Sequence, residues 1–385
     1  VARNERLAAV ASQAAVAMKT LRRLVYREIL LATAFVVLGF LSLFFFFDLV
    51  EEIESLGRYT ATGYTLTHAL TYVALLIPTH LYELMPIAVL IGTIFVMARL
   101  AQNSEFTILR TSGLGPWRAL GSLLILGLGF VMFTFALGDY ISPVADRTAQ
   151  LLKARYTGRI TVGQTGAWLK EKQDYGRYAV NVGELASDGV LHDIRIFEFD
   201  NRGFLSSMMQ AQSALVSDDE SWQLQQVSRT EFPSAGATSA SVELVQVAAL
   251  RWPNHLSAEM VSAALLKPER MRTIDLFQYI QHLQSNAQAA QRYEIEFWKK
   301  VFYPLSCLVM VVLALPFAYL HFRSGSITTY VFGGVMAGIS FFLLNNVFGY
   351  IGNLQNWQPW LTAALPGMIY SMLSLMAFGW LVLRR

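Results

Sequence analysis

Residue types able to do chemistry are sparse and scattered in this chain. Its six histidines, at positions 68, 80, 192, 255, 282 and 321, form no HExxH or other close ligand pair of the kind a zinc site needs. Each reads as a surface or interface residue. The one cysteine, Cys307, lies in an apolar stretch with no disulfide partner and reads as a small packing residue. No GxxxxGK[ST] loop is present to cradle a nucleoside triphosphate. The apolar stretches hold neither paired aspartates nor a Ser/His pair suited to intramembrane proteolysis. The chain is therefore predicted to be no enzyme and to bind no metal, cofactor or nucleic acid of its own.

Four polar groupings remain. In 99–118 (RLAQNSEFTILRTSGLGPWR), Ser104 can cap a short helix, Glu105 suits its positive end, and Gly113 with Gly115-Pro116 stops it. Phe106, Ile108 and Leu109 would give that helix an apolar face for a partner; a plain tight turn is the other reading. The stretch 48–58 (DLVEEIESLGR) carries Asp48, Glu51, Glu52 and Arg58. It is either a solvated helix end or a contact for a polar or phosphorylated headgroup, direct or through a divalent cation. Glu83, Asn345 and Asn346 lie in apolar stretches, where polar groups face protein or a cavity. Gly334 and Gly338 form a GxxxG pair that lets helices approach closely, within this chain or between subunits.

The elements that position these residues are mostly apolar. With 54% apolar and 15% charged residues and a mean hydropathy of +0.41, the chain has membrane composition. Six stretches are long enough to cross about 30 Å of hydrocarbon, at 29–47, 70–98, 119–138, 301–320, 330–351 and 360–383. Pro78 and Pro86 interrupt the second, placing its crossing at 81–98 with 66–80 as an extension. Residues 1–20 lack the apolar core of a signal peptide. Arg and Lys cluster before span one, between spans two and three and after span six, which assigns both termini to the cytoplasm. Lys299 and Lys300 break that rule. Between spans three and four, 191–199, 221–227 and 241–247 alternate apolar and polar residues, punctuated by Ser187-Asp188-Gly189, 200–203 and 217–219. That pattern predicts an antiparallel sandwich or open barrel. The expected fold is an α-helical membrane protein of six transmembrane helices (3+3) with an inserted all-β, jellyroll-like domain. Its divisions are 1–140, 141–272 and 273–385, with helices at 144–158 and 273–300, the latter running into span four.

Several short motifs, in their order, carry a family resemblance. They are Leu84-Met85-Pro86-Ile87-Ala88, Leu100-Ala101-Gln102-Asn103-Ser104-Glu105, Ser112-Gly113, Thr165-Gly166-Ala167-Trp168, Arg292-Tyr293, Trp298-Lys299 and Pro304. From about residue 21 onward the chain resembles the LptF/LptG permeases of the Gram-negative lipopolysaccharide export ABC transporter, and resembles the G type more than the F type. The resemblance implies a heterodimer with an F-type subunit, around an apolar cavity lined by spans one and five. It also implies a dimeric LptB-type cytoplasmic ATPase that binds the ATP and Mg, and a single-span LptC-type partner. Lipopolysaccharide would leave the inner membrane and pass through the periplasmic insert. Residues 99–118 then correspond to the coupling helix, with Glu105, Phe106, Leu109 and Arg110 facing the ATPase. Phe44, Phe47 and Phe341 are expected to meet lipid.

Asp48 is followed here by Leu49-Val50-Glu51-Glu52, where many G-type subunits are basic. Glu51 and Glu52 would reach phosphates through a divalent cation, and Arg58, Lys299 and Lys300 would supply positive charge. The alternative of another class is a non-transporting membrane scaffold or sensor with a binding domain outside.

Overall fold

The computed structural model describes residues 2–59, 63–103, 116–157, 167–173, 176–185, 190–200, 202–217, 221–233, 242–254, 256, 260–261, 268–286, 288–319 and 327–383. Side chains are described for these except at 2–21, 58–59, 154–155, 157, 185, 319 and 381–383. Long apolar runs lie at the heart of three long helices: α1 (Ala2–Tyr59), α2 (Leu66–Gln102) and α3 (Pro116–Ala136). Helix α3 passes through a π turn, Leu137–Ile141, into α4 (Ser142–Thr157). After the β strands come α5 (Thr273–Ser285), α6 (Gln291–Phe302), α7 (Leu305–Ala314), a 3-10 turn (Leu315–Tyr319), α8 (Ile327–Leu354) and α9 (Pro359–Leu383).

Among the described residues, five helices are long and apolar enough to cross a membrane, and α6 with α7 make a sixth, bent by 48°. The bend departs from the single helix expected over 301–320. Tyr303 and Pro304 form a turn there, because proline brings no N–H to continue the ladder. The helix expected over 273–300 is likewise split into α5 and α6. Pro78 and Pro86, by contrast, sit inside α2 without ending it.

The chain divides into two compact units. One comprises Val1–Phe46, Ile77–Gly138 and Trp298–Arg385; the other comprises Phe47–Leu76 and Asp139–Phe297.

In the first unit α2 is the central helix. Of the residues in its most apolar stretch 83% are buried, against 11% in α1 and 17% in α8. Gly334 and Gly338 of α8 meet α2 of the same chain. A Cβ at these positions would lie 2.7 Å from Ile94 Cδ1 and 2.8 Å from Ile87 Cγ2. The GxxxG pair is thus used for packing inside the chain. Cys307 is fully buried, with its Sγ 3.4 Å from Thr134 Oγ1, and fills a packing position.

The second unit is built on six antiparallel strands, each paired with the next in sequence. They are β1 (Ala167–Gln173), β2 (Gly176–Leu185), β3 (Leu191–Phe199), β4 (Leu205–Ser217), β5 (Ser221–Glu231) and β6 (Glu243–Pro253). The insert, expected as an antiparallel sandwich or open barrel, is among the described residues one meandering antiparallel sheet. Alternation along the strands buries one set of side chains, Leu169, Val180, Ile194, Ile196, Leu224 and Trp222 among them. Leu276, Tyr279, Ile280 and Leu283 of α5 join the same core. The β3–β4 turn is an Asx turn: Asp200 Oδ1 accepts the N–H groups of Arg202 and Phe204, both at 2.9 Å, and Gly203 takes a φ of +88°.

The two edges of the sheet differ. On β1, the Lys170 and Lys172 N–H groups donate to Gln288 Oε1 at 3.4 Å and Asn286 Oδ1 at 2.8 Å, which shields that edge. On β6, Leu244, Val245 and Val247 are exposed, as is Val242 just before it.

Burial pushes the His282 imidazole of α5 below its ordinary value, against a smaller opposing pull from Glu171. A base held neutral in the fold stabilises it fully above the ordinary imidazole value of 6.5, and the contribution is lost as pH falls through the lowered one. We expect the insert to melt earlier as pH drops from about 7.5 to 5. A His282→Gln variant should show a smaller drop in paired melting curves, and an equal drop would refute this assignment.

Candidate functional site

Helices α1 and α8 are the least buried spans among the described residues of the first unit. On α1, Phe35, Leu38, Phe44 and Phe46 are exposed; on α8, Phe332, Met336, Phe342, Leu343, Val347 and Tyr350 are. Phe44 stacks on His80 of α2, with ring centroids 4.9 Å apart and planes within 14°. Asn346 is exposed on α8 and Asn345 is half-buried. A polar side chain on an apolar span calls for a protein partner or a watered cavity.

Three of the expected lipid-contact residues are turned inward instead. Phe341 is 1% exposed and packs between the rings of Tyr303 and Tyr370. Lys300 is also buried, and its Nζ donates to the Gly138 carbonyl at 3.0 Å. Gly138 lies in the π turn that ends α3, where the widened helix leaves a carbonyl needing an outside donor. The lysine, read from sequence as a headgroup contact, thus closes an irregularity in span three. Close by, Tyr303 Oη donates to the Glu83 carbonyl at 2.5 Å, beside the carbonyl that Pro86 deprives of an N–H. Lys299 is half-exposed and rests on α8: a Cβ at Gly349 would lie 2.6 Å from its Nζ.

The third inward residue belongs to the second unit. Glu52 is 2% exposed, accepts the Tyr64 hydroxyl at 2.9 Å, and pairs with Lys153 Nζ at 2.7 Å. Burial, and then the hydrogen bond to Glu52, push the Tyr64 phenol above its usual range. Glu51 is exposed beside it, and so is Phe47. The side chain of Arg58 lies outside the described residues, as do Glu105, Phe106, Leu109, Arg110 and the whole expected short helix.

Sequence reasoning missed Lys153, Tyr64, Tyr303 and Asp139. Asp139 Oδ1 accepts the Thr273 N–H at 2.7 Å, capping α5 in place of Arg272, which makes no side-chain cap. An acid next to a glycine at the end of an apolar stretch was the available signal. Lys153 carried none, since one lysine on an amphipathic helix reads as solvated. Among the described residues, no group of three or more His, Cys, Asp or Glu side chains could hold a metal ion.

These features define a polytopic helical membrane protein with an all-β insert between its two halves and open apolar surfaces on its first and fifth spans. The chain belongs to the LptF/LptG family: residues 23–382 match the profile described as lipopolysaccharide export system permease LptF/LptG. It is similar to the lipopolysaccharide export system permease protein LptG of Escherichia coli K12, at 26% identity over 359 residues, covering 92% of this chain and 95% of that protein. It is also similar to the LptG protein of Haemophilus influenzae, at 27% identity over 373 residues, covering 96% and 99%. Both relatives bear the G-type name, in line with the resemblance drawn from the short motifs.

Proposed function

We propose that this chain is a G-type permease subunit of a lipopolysaccharide export system. It extracts lipopolysaccharide from the inner membrane and passes it to a periplasmic bridge, driven by a separate cytoplasmic ATPase. The observation that carries this reading is the family match over residues 23–382. The shape of the apolar surface supports it. Helices α1 and α8 are the least buried spans, as expected for a wall shared with an F-type subunit around a lipid cavity.

In this reading Phe44 and Phe47 meet acyl chains. Glu51 reaches a phosphate through a divalent cation, while Arg58 and Lys299 bring positive charge. Glu52, Lys300 and Phe341 are left out because each is engaged within the chain. The insert lies in the periplasm, both termini in the cytoplasm, and a single-span LptC-type protein receives the cargo. Glu105, Phe106, Leu109 and Arg110 engage the dimeric LptB-type ATPase, which holds the ATP and Mg. Nucleotide-driven movement of that helix lowers the cavity's affinity for lipid relative to the open state, and the difference in affinity drives release.

The test is purification of wild type and Glu105→Arg from native membranes. We expect wild type to bring an ATPase and lipopolysaccharide with it. The variant should keep the lipid but lose the ATPase or its coupled activity by about tenfold or more, as charge reversal at a docking contact does. An absence of ATPase from both preparations would overturn the transport reading and favour a scaffold or sensor.

A further inference from the structure

In the second unit, the last turns of α1, the start of α2 and helix α4 converge on the Glu52–Lys153 pair. The carboxylate is nearly enclosed, and the Lys153 ammonium also lies 4.6 Å from the Tyr72 ring centroid. Tyr64 closes the other carboxylate oxygen. A second clasp lies alongside. The Thr65 N–H points at His68 Nδ1 from 3.2 Å, and a backbone N–H can only donate. Nδ1 is therefore the acceptor and the ring proton sits on Nε2. From there it is donated to Tyr156 Oη at 2.9 Å, with the two ring centroids 4.5 Å apart and the planes tilted by 35°. One clasp fastens α1 to α4, and the other fastens α2 to α4.

A buried ion pair is a weak source of stability, because desolvating both ions offsets their attraction; its best attested use is to fix one register. The ring contacts in this group could hold several registers about equally well. The pair cannot: sliding α1 by a turn would part the nearly enclosed Glu52 carboxylate from Lys153, whose own side chain is 31% exposed.

We propose that Glu52 and Lys153 are positioning residues, a latch that holds the final turns of α1 to α4 so that the end of span one is carried by the insert. This rests on the transport reading, in which span one walls the cavity. When the insert moves to receive or release lipid, the end of span one moves with it.

The test uses the full chain in lipid nanodiscs, with its F-type subunit, its ATPase and lipopolysaccharide for the transport arm. Amide exchange over residues 47–57 should quicken by about tenfold or more in Glu52→Gln and in Lys153→Met. Exchange in the β sheet should not change. The swap Glu52→Lys with Lys153→Glu should restore slow exchange. The neutral pair Glu52→Gln with Lys153→Met guards against a swap that fails to fold. It should keep the sheet intact yet release severalfold less lipopolysaccharide per ATP hydrolysed. Unchanged exchange in both single variants, or wild-type coupling in the neutral pair, would overturn the latch. If wild type itself released no lipopolysaccharide, the transport reading would fail, and the exchange data would still decide whether the pair holds α1.

Discussion

Replacing Trp222 with alanine should cost the insert about 3–5 kcal/mol, the range for removing a large aromatic from a core. Trp222 is fully buried near the start of β5 and directly opposite Trp252 of β6 in the strand register. The two indoles meet edge to face, with centroids 5.5 Å apart and planes at 80°. Trp252 in turn meets Tyr178 at 5.7 Å. Truncation thus removes one end of a three-ring stack. It also strands the Leu256 carbonyl, which accepts the Trp222 Nε1–H at 2.9 Å. Phenylalanine keeps most of the packing and loses only that bond, so Trp222→Phe should cost about 1–2 kcal/mol. Amide exchange in β4 and β5 of the full chain ranks the three proteins. Equal protection in wild type and the alanine variant would mean that the sheet does not depend on this core.

The second large effect is expected at Gly92. A Cβ there would lie 2.6 Å from Thr33 Oγ1, 2.7 Å from its backbone nitrogen and 2.9 Å from its Cα. Two of those atoms are backbone, so no side chain can swing away to make room, and α1 as a whole must shift. Among the described residues, α1 also meets the first unit through the Phe44–His80 stack and the Glu28–Arg99 ion pair. Ile29 is fully buried, and Tyr26 Oη donates to the Ser122 carbonyl at 2.5 Å. Gly92→Leu should therefore destabilise the protein by about 3 kcal/mol, at the upper end for overpacking. The loss should appear as a lower melting temperature in detergent and faster exchange around 26–36. Gly129→Leu is the control: nothing lies within 4 Å of a Cβ there, so it should be close to neutral. Similar melting temperatures for the two variants would contradict close contact between α1 and α2.

Sequence alone determined the elements whose signal is local. A helical membrane span needs only a long apolar run, because in a bilayer a single segment can satisfy its backbone by itself only as a helix. A half-buried strand needs only alternation with turn residues, as in 191–199 and the Asp200-to-Gly203 turn. Family membership was equally legible, since short motifs in fixed order do not depend on contacts. The roles of charged residues were not. Glu51 and Glu52 are adjacent and chemically alike, yet one is exposed and the other is sealed in an ion pair 101 positions away in sequence. Lys299 and Lys300 are also alike, yet one lies over a glycine of α8 and the other closes a π turn 162 positions away. Helical rotation of about 100° per residue sends neighbours to different surroundings, and only the packing of distant segments decides what each one meets. The same holds for Phe341, whose aromatic ring suited lipid or core equally well. Its burial between Tyr303 and Tyr370 was fixed only when α8, α9 and the turn after α6 came together.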